Sequence, residues 1–431
     1  MRILFCCQFY APSVGGVQEV MRQLAERLVV RGHQVTVATA RLLARNFNSL
    51  NGVDIKEFEV YGNLASGMAG ELKEFQDFVV GGNFDVIMIY AAQQWTFDAL
   101  WPELDKIVCI KVLVPCGFSG LYEPGYARYF QKLPEVLRKF DHLVFHASKY
   151  RDVNFARKCG IEKISVIPNG ASEIEFEVAV SCEFRSKYGI PEESFVFLTV
   201  GSFTGLKGHL ELAKAFSLMR IPDGRHATLI LNGNEIQRSE SGVEGNLRKL
   251  AGLIRTIGVK NTLVQIVKTF SRSTYSPQSI AQSINSLRIN KIVLVTDLPR
   301  EELTQAYLTA DLFVFASNIE YSPLVLFEAA AAGTPFLSVN VGNAAEIAEW
   351  TGAGVMCSSE IDNKGYTHVD KMELAKSMTT LMEQKELLEN LGAAGRRNWR
   401  ERFTWEKVAD QYEHLFYQLL REKLIKDELL Q

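Results

Sequence analysis

The sequence has no surplus of charge of either sign, no long apolar segment and no paired set of cysteines. Its 431 residues hold 47 lysines and arginines against 50 aspartates and glutamates, which gives a net charge of −3. A balance so close to zero gives no sequence-wide electrostatic reason to bind nucleic acid. The stretch that comes closest to a membrane helix, residues 329–345, is interrupted by Gly333, Pro335 and Gly342 and falls short of the roughly 20 residues required.

The cysteines do not form a disulfide framework. There are seven, an odd number; Cys6 and Cys7 are adjacent, and no pair has the C-x-x-C spacing. We therefore expect a reduced, cytoplasmic protein. The apolar run after Met1 is short, is broken by Gln8 and lacks a small-residue cleavage site, so it predicts a first strand rather than a signal peptide.

Short apolar runs alternate with helical patterns along the whole chain, which predicts parallel βαβ units. The first series of predicted strands comprises residues 3–9, 35–38, 86–89, 112–114, 143–145 and 165–167. The second series comprises residues 195–200, 228–231, 292–295, 312–315 and 336–339. The fold class is therefore α/β, with two doubly wound parallel-sheet domains.

The pattern lapses in an acidic stretch, residues 174–193, which we interpret as the linker. The predicted domains are residues 1–178 and 190–400, followed by a long terminal helix over residues 404–431. A segment rich in Ser and Gln between Thr269 and Asn290 is needed by neither series, so we expect an inserted surface loop or a short helix there.

Two loops at predicted strand ends are suited to anions. Gly15 and Gly16 would let backbone N–H groups approach an anion at a helix N-terminus, although such a pair is more often only a tight turn. The full G-x-G-x-x-G pattern is absent, which argues against an NAD enzyme. Lys207 follows the first strand of the second series and would act as a point charge for a phosphate, the alternative being a solvated lysine.

The strongest signal is the segment that runs from Glu320 to Pro335. Ser322 is a suitable N-cap and Pro323 a suitable first residue for a helix that ends near Gly333. Glu320 and Glu328 would then face one ligand, because carboxylates accept hydrogen bonds from sugar hydroxyls. The free N–H groups near Leu324 and Val325 would point at the anionic part of that ligand. The alternative for Glu328, a solvated helix face, fits poorly with its apolar neighbours.

These residues resemble the retaining glycosyltransferases of the GT-B fold, which use nucleotide-sugar donors. Glu320 and Glu328 form the E-x7-E pattern of that family, here similar to glycosyltransferase family 4. The resemblance spans almost the whole chain, and it includes Gly15-Gly16-Val17, Val166 to Gly170, Val200-Gly201 with Lys207-Gly208, Ala310 to Val314, and Val341-Gly342 through Glu346. It implies two Rossmann-like domains with a cleft between them, a donor-side second domain, an acceptor-side first domain and a terminal helix that packs back toward the latter.

The resemblance also implies roles for individual residues. Glu328 would bind the nucleotide ribose and Glu320 would position the transferred sugar. Lys207 and the amides near Leu324 and Val325 would hold the diphosphate, over which the Gly15-Gly16 loop would close. No cofactor or metal is expected, because these enzymes stabilise the leaving group with cationic side chains and helix dipoles, and the chain has no D-x-D triplet.

Two positions depart from the family pattern. Ser202 stands where an arginine is usual, and Cys116 stands where a histidine often contacts the sugar. A thiol cannot replace an imidazole as a hydrogen-bonding group. The donor is then oriented differently, or the protein is slow or inactive.

The sequence leaves the acceptor open among a glycan, a lipid-linked and a small-molecule acceptor. Residues 125–140 combine aromatic and cationic side chains, so they would form either an amphipathic helix at a membrane surface or a helix whose aromatic side joins the core. We expect a cytoplasmic hexosyltransferase, with peripheral membrane contact through the first domain as one option. The alternatives are another GT-B activity, such as an epimerase of sugar nucleotides or a phosphorylase, and a catalytically silent binding subunit.

Overall fold

The computed structural model describes residues 1–234, 277–287 and 290–430. These residues form two sheets, covered by helices, and two small antiparallel hairpins; both sheets are parallel apart from one short edge strand of the first. The strands are β1 Arg2–Cys6, β2 Gln34–Ala40, β3 Ser49–Leu50, β4 Val53–Phe58, β5 Val60–Asn63, β6 Gly67–Gly70, β7 Val86–Tyr90, β8 Ile110–Val114, β9 His142–Phe145, β10 Ile164–Val166, β11 Ser194–Val200, β12 His226–Asn232, β13 Lys291–Thr296, β14 Leu312–Phe315, β15 Phe336–Val339, β16 Gly354–Cys357, β17 Glu360–Ile361 and β18 Thr367–His368.

The helices cover both faces of each sheet, as the alternating pattern predicts. Those of the first half are Gly16–Val30, Leu72–Gly81, Trp95–Asp98, Ala127–Leu137 and Arg151–Lys158, with short 3-10 turns at Leu104–Lys106 and Pro124–Tyr126. The later helices are Glu173–Phe176, Phe184–Lys187, His209–Leu218, Pro277–Leu287, Arg300–Thr309, Leu324–Ala332, Ala344–Thr351, Lys371–Met382, Lys385–Arg402 and Trp405–Leu430.

The strand order of each sheet reverses at one point, and this reversal positions the site. The first sheet has the order β10-β9-β8-β7-β1-β2-β4-β3, and the second has the order β13-β12-β11-β14-β15-β16. Helices on opposite faces leave a crevice at the carboxyl ends of the strands where the order reverses. In the second sheet this crevice lies between β11, which Lys207 follows, and β14, which Glu320 follows. In the first sheet the Gly15-Gly16 loop follows the central strand β1.

The chain crosses between the two sheets twice, and the crossings pair with each other. The Ala171 N–H donates to the Phe403 carbonyl (3.0 Å), and the Trp405 N–H donates to the Ala171 carbonyl (3.3 Å). Gly170 allows this approach, since a Cβ there would lie 2.4 Å from the Phe403 oxygen. The segment that joins the sheets contains two one-turn helices, whose Phe176 and Phe184 side chains are buried in the second core.

The terminal helix (Trp405–Leu430) packs against the first sheet. Its buried residues Trp405, Tyr412 and Phe416 join the cluster that contains Phe5 of β1. Arg31, at the end of the first long helix, forms an ion pair with Glu413 at 2.7 Å. An apolar face therefore holds this helix to the half of the chain most distant from it in sequence.

The segment between Thr269 and Asn290 is expected to be an inserted surface loop or a short helix, and a helix is observed where the structure describes it. Pro277–Leu287 is that helix, and its Ala281 and Ile284 are buried in the core of the second domain, so it belongs to that core and is not a surface insertion. The rest of the segment lies outside the described residues apart from Asn290, which lies in the turn before β13. No helix of the described chain combines the length and the apolar character needed to cross a bilayer.

The helix Ala127–Leu137 buries its aromatic side. Tyr129, Phe130 and Leu133 are buried in the first core, so the alternative in which this side joins the core is the one observed. A membrane contact of the first domain stays a prediction.

The packing of the terminal helix can be tested by truncating one buried ring. Phe416 is completely buried, so Phe416→Ala should lower the free energy of unfolding by about 3–5 kcal/mol. Leu424, which is 63% exposed on the same helix, is the matched control, and Leu424→Ala should cost less than about 1 kcal/mol. Urea unfolding followed by tryptophan fluorescence measures both, and equal losses would contradict this packing.

Candidate active site

Lys207 and Glu320 meet at the crevice of the second sheet. The Lys207 Nζ lies 2.5 Å from the Glu320 Oε1, which also accepts a hydrogen bond from the Ser317 Oγ at 3.2 Å. Both side chains keep some exposure, 28% for Lys207 and 16% for Glu320. A cation and a carboxylate thus stand side by side at the position where a doubly wound sheet binds its ligands.

The loop that carries Lys207 depends on a glycine for its path. Gly208 has a φ of 73°, and a Cβ there would lie 2.1 Å from the Ala316 carbonyl oxygen. The loop is tied to the segment before Glu320 by a hydrogen bond from the Asn318 N–H to the Leu206 carbonyl (2.9 Å). Ser202 lies half-buried in the same loop and places no cation there.

The site helix (Leu324–Ala332) begins one residue later than the sequence predicts. Pro323 occupies the N-cap position, and Ser322 does not cap the helix: its buried Oγ has no hydrogen-bond partner in the described chain. The helix ends at Gly333 in the left-handed conformation, as expected. The first N–H groups of a helix have no partners within it, so those of Leu324 and Val325 are available to an anion.

The glycine loop of the first domain lies against the start of the site helix. A Cβ placed on Gly16 would be 4.0 Å from the Leu324 Cδ1. Gly15 is the N-cap of the helix Gly16–Val30 and has an extended backbone. The structure therefore brings together Gly15, Gly16, Leu324 and Val325, which the sequence places more than 300 positions apart.

Glu328 lies inside the second domain rather than on a solvated helix face. It is 7% exposed, its Oε1 lies 2.7 Å from the Arg300 Nη2, and its Oε2 accepts a hydrogen bond from the Tyr307 hydroxyl at 3.0 Å. Arg300 also contacts Glu175 at 2.7 Å. Sequence reasoning missed Arg300, whose signal is a cation at the first position of the helix that follows β13.

Tyr321, next to Glu320, is the centre of a contact between the domains. Its hydroxyl accepts a hydrogen bond from the His146 N–H (3.0 Å) and lies near the Asp152 carboxyl. A Cβ on Gly117 would lie 3.0 Å from the Tyr321 Cγ, and the φ of Gly117 is 91°, so a larger residue there would be both crowded and strained. This contact was not predicted, because the E-x7-E pattern specifies only its two glutamates and Tyr321 is one of the residues between them.

His146 is neutral at this contact. Burial lowers the pKa of its imidazole to about 4. Its Nδ1 lies 2.7 Å from the Ile167 carbonyl oxygen, which can only accept, so Nδ1 carries the hydrogen. Its Nε2 then accepts from the Tyr90 hydroxyl at 2.7 Å. His146 is a fixed structural group beside the site.

Cys116 lies in the loop beside Tyr321 and has a positive φ of 59°. Burial, with the nearby Asp152 carboxyl, raises the pKa of its thiol to about 12. The thiol is therefore protonated at neutral pH. It is a weak hydrogen-bonding group and has neither of the two ring nitrogens of an imidazole. The structure places Cys116 near the site without giving it an imidazole's chemistry.

Comparisons with known proteins agree with this architecture. Residues 274–398 match the family model of the glycosyl transferases group 1. The N-acetyl-alpha-D-glucosaminyl L-malate synthase of Bacillus anthracis is 29% identical, over 95% of this chain and 96% of that protein. An uncharacterized glycosyltransferase of Methanocaldococcus jannaschii is 25% identical, over 80% of this chain and 82% of its own length.

Solved structures share the fold at low identity. The sucrose-phosphate synthase of Thermosynechococcus elongatus superposes with a TM-score of 0.69 at 18% identity, covering 98% of this chain and 99% of its own. An Anabaena protein solved with UDP and glucose has a TM-score of 0.66 at 16% identity, covering 97% and 100%.

Two facing parallel sheets, each with its crevice at the same cleft, define the GT-B fold. The chain shares this fold with the solved structures above. Its residues 274–398, which contain Glu320 and Glu328, are similar to the group 1 glycosyltransferases.

The Asp152 contact makes a prediction about pH. Burial raises the pKa of the Asp152 carboxyl to about 6, against 3.8 for an ordinary aspartate. The folded state thus binds more protons than the unfolded state between these values, so this group stabilises below pH 4, and its contribution is lost as the pH rises through 6. The wild type should lose about 3 kcal/mol of unfolding free energy relative to Asp152→Asn across this window.

Unfolding of the two proteins by urea at a series of pH values between 4 and 8 measures this difference. Above pH 7 the difference should stay constant, because the carboxyl is then ionised in both states. A difference that is flat from pH 4 to pH 8 would show that Asp152 titrates as an ordinary surface acid.

Proposed function

We propose that the protein is a retaining hexosyltransferase that moves a sugar from a nucleotide-diphosphate donor to a hydroxyl of an acceptor, without a metal. The observation that carries the proposal is the Lys207–Glu320 pair, with its 2.5 Å contact, beside the open N-terminus of the site helix. A diphosphate needs a cation and N–H donors, and a sugar needs a carboxylate, so this arrangement fits both parts of such a donor.

Each part of the donor has a place in the proposed complex. The diphosphate would contact Lys207 and the N–H groups of Leu324 and Val325, with the Gly15-Gly16 loop over it. The ribose would reach Glu328, whose carboxylate is held in place by Arg300 and Tyr307. The transferred sugar would lie beside Glu320. The Anabaena structures of this fold, which were solved with UDP, support a nucleotide diphosphate as a ligand.

The proposed step is an exchange on one face of the sugar. The acceptor oxygen forms a bond to the anomeric carbon as the bond between that carbon and the diphosphate oxygen breaks. The acceptor's proton passes to the departing diphosphate, so no side chain is required as the base. Lys207 and the helix N-terminus stabilise the negative charge that develops on the leaving group, which is how this step would proceed without a metal.

A catalytically silent binding subunit is the second candidate, and Cys116 is the observation that favours it. A neutral thiol replaces the group that often contacts the sugar in the family. Slow hydrolysis of the donor without acceptor would exclude this candidate. An epimerase would instead convert the donor sugar with no acceptor present, so product analysis of the same reaction separates all three activities.

A panel of UDP, GDP, ADP and their sugars in a thermal-shift assay tests the donor site and identifies the base. A ligand at a hundred times its dissociation constant adds about 2.7 kcal/mol of stability, which gives a readable shift. We expect Glu328→Ala to weaken the binding of the preferred nucleotide by about 10- to 100-fold, because a hydrogen-bonded carboxylate is lost. Glu386→Ala, at an exposed acid of the same domain, is the control.

The circular dichroism of unliganded Glu328→Ala should match that of the wild type, so that any weaker binding is not a folding defect. If the variant keeps its affinity for every nucleotide diphosphate of the panel, Glu328 is not the ribose ligand.

Lys207 is expected to act on turnover more than on affinity. Lys207→Met keeps the length of the side chain and removes its charge. It should lower kcat roughly 100-fold, which is the typical effect of removing one hydrogen-bond donor that stabilises developing negative charge in an enzyme. Lys376→Met, at an exposed lysine of the second domain, should leave kcat unchanged. The measurement is product formation at saturating donor, and a kcat for Lys207→Met within about threefold of the wild type would place the leaving-group cation elsewhere.

A further inference from the structure

A cavity of about 740 Å³ lies between the two domains and is bounded on one side by Glu320. Its first wall belongs to the first domain and includes Tyr122 and residues 149–151. Its second wall belongs to the second domain and is formed by residues 340–349 and the β17–β18 hairpin. This volume is that of a small-molecule site. None of the residues predicted for the donor lines it except Glu320.

The first wall presents a guanidinium that is fixed in place but not neutralised. The Arg151 Nε donates to the Gly117 carbonyl at 2.7 Å. Its guanidinium carbon lies 5.2 Å from the ring centre of Tyr150 and 5.9 Å from that of Tyr122. Within residues 1–234, 277–287 and 290–430, no carboxylate lies within ion-pair distance of Arg151. A guanidinium held in this way keeps its two terminal nitrogens for a bidentate contact with a carboxylate or a phosphate.

Two lysines extend the positive charge of this wall. Lys149 and Lys158 line the same cavity, at the two ends of the segment that contains Arg151. Neither forms an ion pair with any residue that the structure describes. Three cations that form no ion pair within the described residues therefore share one wall, so the positive charge of the cavity is concentrated on that side.

The opposite wall carries acceptors of hydrogen bonds. Glu320, Glu346 and Glu349 line it. The Glu346 carboxylate accepts from the Ser148 N–H at 3.0 and 3.1 Å, a contact that joins the two walls. Carboxylates of this kind accept hydrogen bonds from ligand hydroxyls. The two walls thus suit different groups of one ligand: the first wall suits an anionic group, and the second suits hydroxyl groups.

We propose that this cavity is the acceptor site and that the acceptor is a hydroxyl-bearing molecule with a carboxylate or phosphate group, which Arg151 binds. The inference rests on the proposed function, since it places the acceptor's reacting hydroxyl beside the sugar at Glu320. The two sites adjoin, because the Tyr150 hydroxyl donates to the Glu320 carbonyl at 2.9 Å and the Tyr150 ring packs against Arg151. Arg151 is thereby a residue that determines acceptor specificity.

Calorimetric titration of the full chain, with and without saturating UDP, tests the proposal with three probes. Glucose 6-phosphate and glucuronate carry the anion, and glucose lacks it. The wild type should bind at least one anionic probe about 10-fold or more tightly than glucose, and Arg151→Gln should remove that preference. Arg220→Gln, at an exposed arginine of the second domain, should keep it.

A second variant tests the place of binding without changing charge. Ala345 is exposed to the cavity from the second wall, so Ala345→Trp should fill the cavity and weaken binding of the anionic probes while leaving UDP affinity unchanged. Co-sedimentation with phosphatidylinositol vesicles separates two sources of the anion. Arg151-dependent sedimentation assigns it to a lipid headgroup, and probe binding without sedimentation assigns it to a free small molecule.

Two results would overturn the proposal: a wild type with no preference for either anionic probe, or an Arg151→Gln variant that keeps the full preference. The outcome is separable from that of the proposed function. A protein that binds no nucleotide diphosphate fails the donor test, whereas the titrations without UDP still report on Arg151.

Discussion

The ion pair between Lys207 and Glu320 is the interaction around which the site is arranged. It exists because β11 and β14 are neighbours in the sheet although more than 100 residues separate them, so the loops at their ends must meet. Gly208 lets the first loop lie against the second. The pair also adjoins the cavity between the domains, because the Tyr150 hydroxyl that lines this cavity donates to the Glu320 carbonyl.

The contact at Tyr321 fixes the first domain against the Lys207–Glu320 pair. Tyr321 and Glu320 are adjacent, so the hydrogen bond that the Tyr321 hydroxyl accepts from the His146 N–H also holds Glu320 close to the first domain. The Asn343 side chain adds a bond to the His146 carbonyl at 2.8 Å. His146 serves this purpose as a neutral ring, since burial disfavours the charged imidazole and lowers its pKa to about 4. The position of Glu320 relative to the first domain therefore depends on polar contacts that cross between the two domains.

The sequence alone predicted the strands, because strands depend on a local pattern of apolar residues. Most of the predicted strands begin and end within two residues of the observed ones, because apolar runs of strand length between helical patterns have few other interpretations. Ser322 was predicted as the N-cap from its capping propensity, but it does not cap the helix. Asn169 donates to the Ser322 carbonyl and the Asn343 N–H donates to the Tyr321 carbonyl, and these tertiary contacts fix the chain before the helix. Arg300, Tyr321 and Arg151 could not be predicted, since their partners lie in other loops or in the other domain.

The low net charge of the chain and the affinity for polyanions that we propose are compatible, because charge is arranged locally. On the donor side, the cations Lys207 and Arg300 are each paired with a carboxylate of the site, Glu320 and Glu328. Such pairs avoid the cost of a buried unpaired charge, and a diphosphate that reaches Lys207 must share it with Glu320. On the other side, Arg151 is held by a carbonyl and two tyrosine rings instead, without a carboxylate among the described residues. A cation fixed without a counter-ion can bind an anion without displacing one, so the two ligands that we propose would meet differently partnered cations in the cleft.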